Sequence, residues 1–250
     1  MPGVSACGSV AGVSAAPVLQ VSGLARRYGE LEALRGFELE LAPGECVAVI
    51  GHNGSGKTTA MRMIAGLLDP SAGSVSVERA RVGDGAEGVA ARAALAMIPD
   101  TAALYDDLTV REHLQLVALA HGDADESLDE RIETLLDVLA LVDKADARPG
   151  QLSRGMRQKA QLACALIRPS ALLVLDEPVV GLDPAAQRTL RELLLEAKRA
   201  GRAVLLTTHQ LEFARGIADR AVLLADGAVV ATGPYEAIVD GPHVREYGLL

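Results

Sequence analysis

The sequence predicts an α/β domain built on a largely parallel sheet, with a small antiparallel β region and an inserted helical subdomain. Three observations predict it. Short apolar runs alternate with helical patterns along most of the chain, as in a parallel sheet joined by helices. The run Cys46-Val47-Ala48-Val49-Ile50 is apolar throughout, the pattern of a central strand buried on both faces. From about Thr109 to Ile167 the pattern is helical almost without a break.

In chain order, the first 17 residues are small and uncharged and are expected to form a flexible tail. Val4-Ser5-Ala6-Cys7 loosely imitates a lipoprotein cleavage box, but no basic segment or long apolar run precedes it. Residues 18–240 are expected to form the domain, and 241–250 a C-terminal tail. Over Leu31 to Leu41, Phe37, Leu39 and Leu41 alternate with Glu38 and Glu40, a half-buried strand suited to the antiparallel sheet. Pro43-Gly44 is a turn before the apolar strand. A helix is expected from Thr58 to Leu68. The helical subdomain covers about 101–167, with Leu128, Ile132, Leu135, Leu136, Leu139 and Val142 as one stripe. Strands resume at Ala171–Leu175, Ala203–Thr207 and Ala221–Leu224. Asp183 and Pro184 read as N-cap and first residue of a helix.

Composition narrows the function. The chain has 250 residues, 50% of them hydrophobic, too apolar for intrinsic disorder. Lys+Arg 24 against Asp+Glu 33 gives a net charge of -9, which argues against a nucleic-acid binder working through overall charge. Cys7, Cys46 and Cys164 form no metal-ligand spacing, and their odd number suits incidental thiols in a reducing compartment. No uncharged apolar stretch reaches the roughly 18–20 residues that cross a bilayer.

The chemistry concentrates in two places. Gly51-His52-Asn53-Gly54-Ser55-Gly56-Lys57-Thr58, followed by Thr59, fits G-x-x-x-x-G-K-[ST] between an apolar strand and a helix. Its glycines let backbone N–H groups wrap phosphates, Lys57 reaches the β- and γ-phosphates, and the Thr58 hydroxyl suits Mg²⁺. The fold class is therefore a P-loop NTPase core. The strand ending in Asp176-Glu177 supplies the other half. Asp176 suits the Mg²⁺ shell, and Glu177 suits polarising a water for attack on the γ-phosphate.

Between these lies Leu152-Ser153-Arg154-Gly155-Met156-Arg157-Gln158, which also reads simply as a helix start with Ser153 as N-cap. After the Asp-Glu strand come Gly181-Leu182-Asp183 and Thr207-Thr208-His209. With these motifs in this order, residues 18–240 resemble an ATP-binding cassette ATPase, the nucleotide-binding subunit of a transporter. The resemblance implies ATP and Mg²⁺ as ligands. It gives Ser153 and Gly155, with Arg154 between them, contact with the γ-phosphate held by the opposite subunit. Asp183 would sit at the dimer seam, and His209 would touch the γ-phosphate and orient the water. Tyr28 is either the aromatic that stacks on adenine or an ordinary strand-end tyrosine.

Three departures stand out. Where the family has a Gln after the strand that follows the phosphate-loop helix, this chain has Met97-Ile98-Pro99-Asp100. Asp100 offers oxygen to Mg²⁺ but is shorter and adds a negative charge. Arg154 replaces the commonest Gly, a variant similar to bacterial exporter ATPases of the drug and polysaccharide type. Val179 replaces a frequent Ser or Thr, removing a hydroxyl near the seam. The resemblance thus implies an ATPase subunit of an exporter, peripheral to the cytoplasmic membrane face. Its partners would be a separately encoded integral-membrane permease and a second ATPase subunit, identical or different. The other readings are a cassette ATPase acting on a cytosolic scaffold such as iron–sulfur assembly, and a degenerate nucleotide-binding regulator. No nucleic-acid partner is expected, because no long coiled-coil insertion separates Lys57 from Ser153.

Overall fold

The computed structural model describes residues 16–247, so most of the expected N-terminal tail, including Cys7, lies outside the described residues. The chain first forms β1 (Leu19–Tyr28), β2 (Leu31–Leu41) and β3 (Cys46–Ile50), followed by α1 (Lys57–Ile64). Next come β4 (Ala72–Val77), β5 (Ala80–Arg81), α2 (Gly85–Ala94) and β6 (Leu95–Ile98). The helices α3 (Val110–Ala120), α4 (Leu128–Val138) and α5 (Arg154–Leu166) then follow without an intervening strand. The chain ends with β7 (Leu172–Asp176), α6 (Pro184–Arg199), β8 (Ala203–Thr208), α7 (Leu211–Ala214), β9 (Arg220–Ala225), β10 (Ala228–Pro234), α8 (Tyr235–Val239) and α9 (Pro242–Glu246).

Two sheets result. One is antiparallel in the order β2-β1-β4-β5. The other runs β10-β9-β3-β8-β7-β6, parallel from β9 through β6, with β10 antiparallel at its edge. Alternation explains why the central strands read as unbroken apolar runs. Val47, Val49, Val174 and Leu205 face the antiparallel sheet and α1, while Cys46, Ala48, Ile50, Leu173, Leu175 and Leu206 face the helical side. The sheet thus divides the core into two layers, and strand C-termini emerge between them.

The predicted helix starts hold. Asp183 caps α6, its carboxylate accepting from Ala186 N at 2.8 Å, with Pro184 first in the helix. Ser153 caps α5 through Met156 N at 3.2 Å. Thr109 caps α3 in a reciprocal capping box with Glu112.

Three expectations change. The first helix stops at Ile64, four residues early, because Gly66 turns the chain out at φ +71. The apolar stripe holds for Leu128, Ile132, Leu136 and Leu139, but Val142 is exposed. Helix α4 ends at Val138 and Ala140 takes φ 52, so Val142 falls on a separate 3-10 turn with a new phase. At the far end, where a tail is expected, α9 buries Val244 in the helical-side core.

Candidate nucleotide site

Everything of chemical interest gathers where parallel strands end. The register places Ile50 beside Thr208 and Asp176 beside Thr207, so the segments that follow β3, β7 and β8 leave the sheet at one edge. Open α/β sheets bind ligands outside the carboxyl ends of their strands.

The loop after β3 takes its shape from close approaches. Gly56 adopts φ +105, and a Cβ there would stand 2.5 Å from the Ala33 carbonyl oxygen, so only glycine fits. Gly227 N donates to the Ser55 carbonyl at 3.0 Å, tying the loop to the β9–β10 turn. Lys57 is buried beneath the loop, and its ammonium donates to the carbonyls of Gly51 at 2.8 Å and His52 at 3.1 Å. Glu177 lies 3.8 Å away. Burial lowers the Lys57 pKa, and the Glu177 and Asp176 carboxylates oppose that shift.

At the end of β7, Asp176 is fully buried. Its Oδ1 accepts the Thr207 hydroxyl at 2.6 Å, and that same hydroxyl oxygen accepts Glu177 N at 2.9 Å. Thr207 therefore fixes both acidic residues, a task no sequence motif assigned to it; its place two residues before His209 was the available signal. Asp176 Oδ2 is buried without a hydrogen-bond partner, as is Ser55 Oγ. A buried, unpartnered carboxylate oxygen costs several kcal/mol unless a cation meets it. Glu177 itself adopts φ +49, a strained conformation for a non-glycine residue. Its Oε2 accepts from His209 Nδ1 at 2.9 Å and from His209 N at 3.3 Å. With the carboxylate as acceptor, Nδ1 carries a ring proton.

A cavity of about 270 Å³ opens above these groups. It is lined by Ala33, Asn53, Gly54, Gly56, Lys57, Thr58, Thr59, Asp100 and Glu177. The structure thus brings Asp100 to the phosphate loop, with its carboxylate 3.9 Å from Arg62. His52 and Ser55 belong to the loop but not to the cavity wall. His52 turns its Nε2 toward Asp226 at 3.6 Å.

A second groove, about 590 Å³, adjoins the first at Ala33 and Gly54. It runs between the β1–β2 turn and the β9–β10 turn, lined by Arg27, Arg35, Asp226 and neighbours. Tyr28 is half-exposed at the end of β1 but does not line it, and the Arg26 guanidinium covers its ring at 4.7 Å. Ser153, Arg154, Gly155 and Asp183 lie outside the phosphate cavity of their own chain. The Asp183 carboxyl is held below its usual range, first by its bond from Ala186 N. Arg154 shares a separate cavity with Asp100, Thr101 and Arg157.

A strand–loop–helix phosphate cradle faced by a buried Asp and the Glu that follows it defines a nucleotide-binding P-loop ATPase. Comparison with known proteins sharpens the class. The family model described as ABC transporter matches residues 34–180, and the chain belongs to that family. It is 37% identical to the ABC-type transporter ATP-binding protein EcsA of Bacillus subtilis (strain 168), covering 86% of this chain and 87% of that one. It is 36% identical to the Nod factor export ATP-binding protein I of Rhizobium sp. (strain N33), covering 89% of this chain and 72% of that one. A solved ATP-binding subunit of an ABC transporter superposes with TM-score 0.83 at 36% identity, over 93% of this chain and 94% of the other. A nucleotide-free ATP-binding cassette from an ABC transporter, 24% identical, shares the fold with TM-score 0.78. The chain is an ABC transporter ATP-binding subunit, of the family that hydrolyses ATP to power transport.

Proposed function

We propose that this chain drives an exporter by hydrolysing Mg²⁺·ATP between two ATPase subunits arranged head to tail. The observation that carries the catalytic part is Asp176 Oδ2, a carboxylate oxygen buried without a partner at the end of β7, next in the chain to Glu177 on the cavity wall. That atom and the Thr58 hydroxyl fit Mg²⁺, with Asp100 as a further oxygen donor on the cavity wall. Bound there, the ion would neutralise charge on the β- and γ-phosphates. Lys57 gives up the loop carbonyls for phosphate oxygens, and the amides of 51–59 hold the remaining charge. Glu177, oriented by His209 and Thr207, accepts a proton from the attacking water.

The export direction is supported by the Nod factor export proteins among its relatives and by Arg154 in the signature segment. Those names equally disfavour the scaffold reading. Ser153, Arg154, Gly155 and Asp183 lie apart from their own phosphate cavity, which supports their service to a second subunit's ATP. Among the described residues no helix is long and apolar enough to cross a membrane, and in this reading a separate permease supplies the membrane attachment. The test is ATP binding and phosphate release by Glu177→Gln. Binding kept with release lost supports the reading; release at the wild-type rate refutes it.

A further inference from the structure

The segment between β6 and α3 carries Asp100 and no regular structure, yet it is held from the helical side at two alternate backbone amides. Ala103 N donates to Oε1 of Gln161, a buried residue of α5, at 3.0 Å. Tyr105 N donates to Nε2 of His113, a buried residue of α3, at 2.8 Å. An amide N–H can only donate, so Nε2 is the acceptor and the ring proton sits on Nδ1, which faces the Thr109 carbonyl at 2.7 Å. The Tyr105 ring stacks on the same imidazole with centroids 6.0 Å apart. Between the two pinned amides, Leu104 packs against the helical-side core.

We propose that His113 and Gln161 are positioning residues that set where Asp100 stands on the rim of the phosphate cavity. Neither lines the phosphate cavity. Each replaces water on an amide that would otherwise leave the segment free to move, and a buried acceptor lost at such a place is not easily substituted. The upstream end is fixed by Ile98, which pairs with Leu175 in the sheet, and the downstream end by the Thr109 cap. Only the stretch from Pro99 to Leu108 depends on the two side chains. The packing of α3 and α5 is thereby transmitted to Asp100, whose carboxylate makes one loose ion pair among the described residues, with Arg62 at 3.9 Å. This inference rests on Asp100 serving Mg²⁺·ATP, as proposed above.

The test uses the full chain with two variants at one site. His113→Phe keeps a ring and removes the acceptor; His113→Gln returns an amide oxygen near the Nε2 position. Hydrogen exchange at Ala103 and Tyr105 should rise about tenfold or more in His113→Phe and in Gln161→Leu, with the β7 amides unchanged. His113→Gln should restore it. Separately, ATP affinity is measured with Mg²⁺ and with chelator. Asp100→Ala should narrow the gain that Mg²⁺ gives, His113→Phe should narrow it in the same sense, and the double variant should add nothing further. Wild-type exchange at both amides in His113→Phe and Gln161→Leu overturns the proposal. So does an unchanged Mg²⁺ gain in His113→Phe where Asp100→Ala alters it. If Asp100→Ala alone leaves the gain unchanged, the metal role of Asp100 fails, and the exchange rates then decide whether His113 and Gln161 hold the segment.

Discussion

Glu177 combines a left-handed backbone, a Thr207 anchor and a two-point hold on His209, which together aim one carboxylate at the cavity. Glu177→Gln keeps the shape and removes the proposed base. Its phosphate release should fall by about 10²–10⁴-fold while nucleotide titration remains near wild type. Asp100 belongs to the same scale. Asp100→Gln, restoring the amide usual in the family, should retain or raise hydrolysis, and Asp100→Ala should raise the Mg²⁺ concentration needed for half-maximal rate. Rates and Mg²⁺ midpoints equal to wild type in both would leave Asp100 a bystander. The motif residues of the phosphate loop and the Asp-Glu pair were legible because their chemistry demands fixed spacing. Thr207 and the His209–Glu177 contact were not, since a hydroxyl that bridges the Asp176 carboxylate and the Glu177 amide depends on strand register that a linear pattern does not carry. The family expectation puts His209 on the γ-phosphate; here its ring is engaged with Glu177.

Among elements, helix starts were readable where a side chain supplies the cap: Ser153 and Asp183 each satisfy an orphan N–H of the first turn, and in the structure Thr109 does the same where the helical pattern begins. Thr109→Ala should lower stability by about 1 kcal/mol in urea unfolding, since the capping box loses its Oγ acceptor. An unchanged midpoint would mean that water caps α3 equally well. Helix ends and edge strands were harder. Backbone turns at Gly66 and Ala140 cut two helices short of their apolar periodicity. Of the strands with no expectation attached, β1 shows irregular register against β2, and β10 is only partly buried at the sheet edge. Their patterns lack the continuous apolar run that marked β3, β7, β8 and β9.

For the whole molecule, one sheet serves two cores and one active edge. The antiparallel sheet and α1 press on one face, the helices α3, α4 and α5 on the other, and the phosphate cavity opens between them. The signature segment at the start of α5 does not line that cavity, which in this account is because it serves a second chain. The direct measurement is complementation between two inactive variants. Lys57→Ala disables a phosphate loop and leaves the signature whole; Ser153→Arg blocks the signature and leaves the loop whole. Phosphate release from Mg²⁺·ATP is measured for each variant alone and for the two mixed and allowed to exchange subunits. The account predicts negligible release from either alone and recovered release from the mixture, because one site of each mixed pair joins an intact Lys57 to an intact Ser153. A mixture as inactive as its components, or a Ser153→Arg variant active alone, would contradict it.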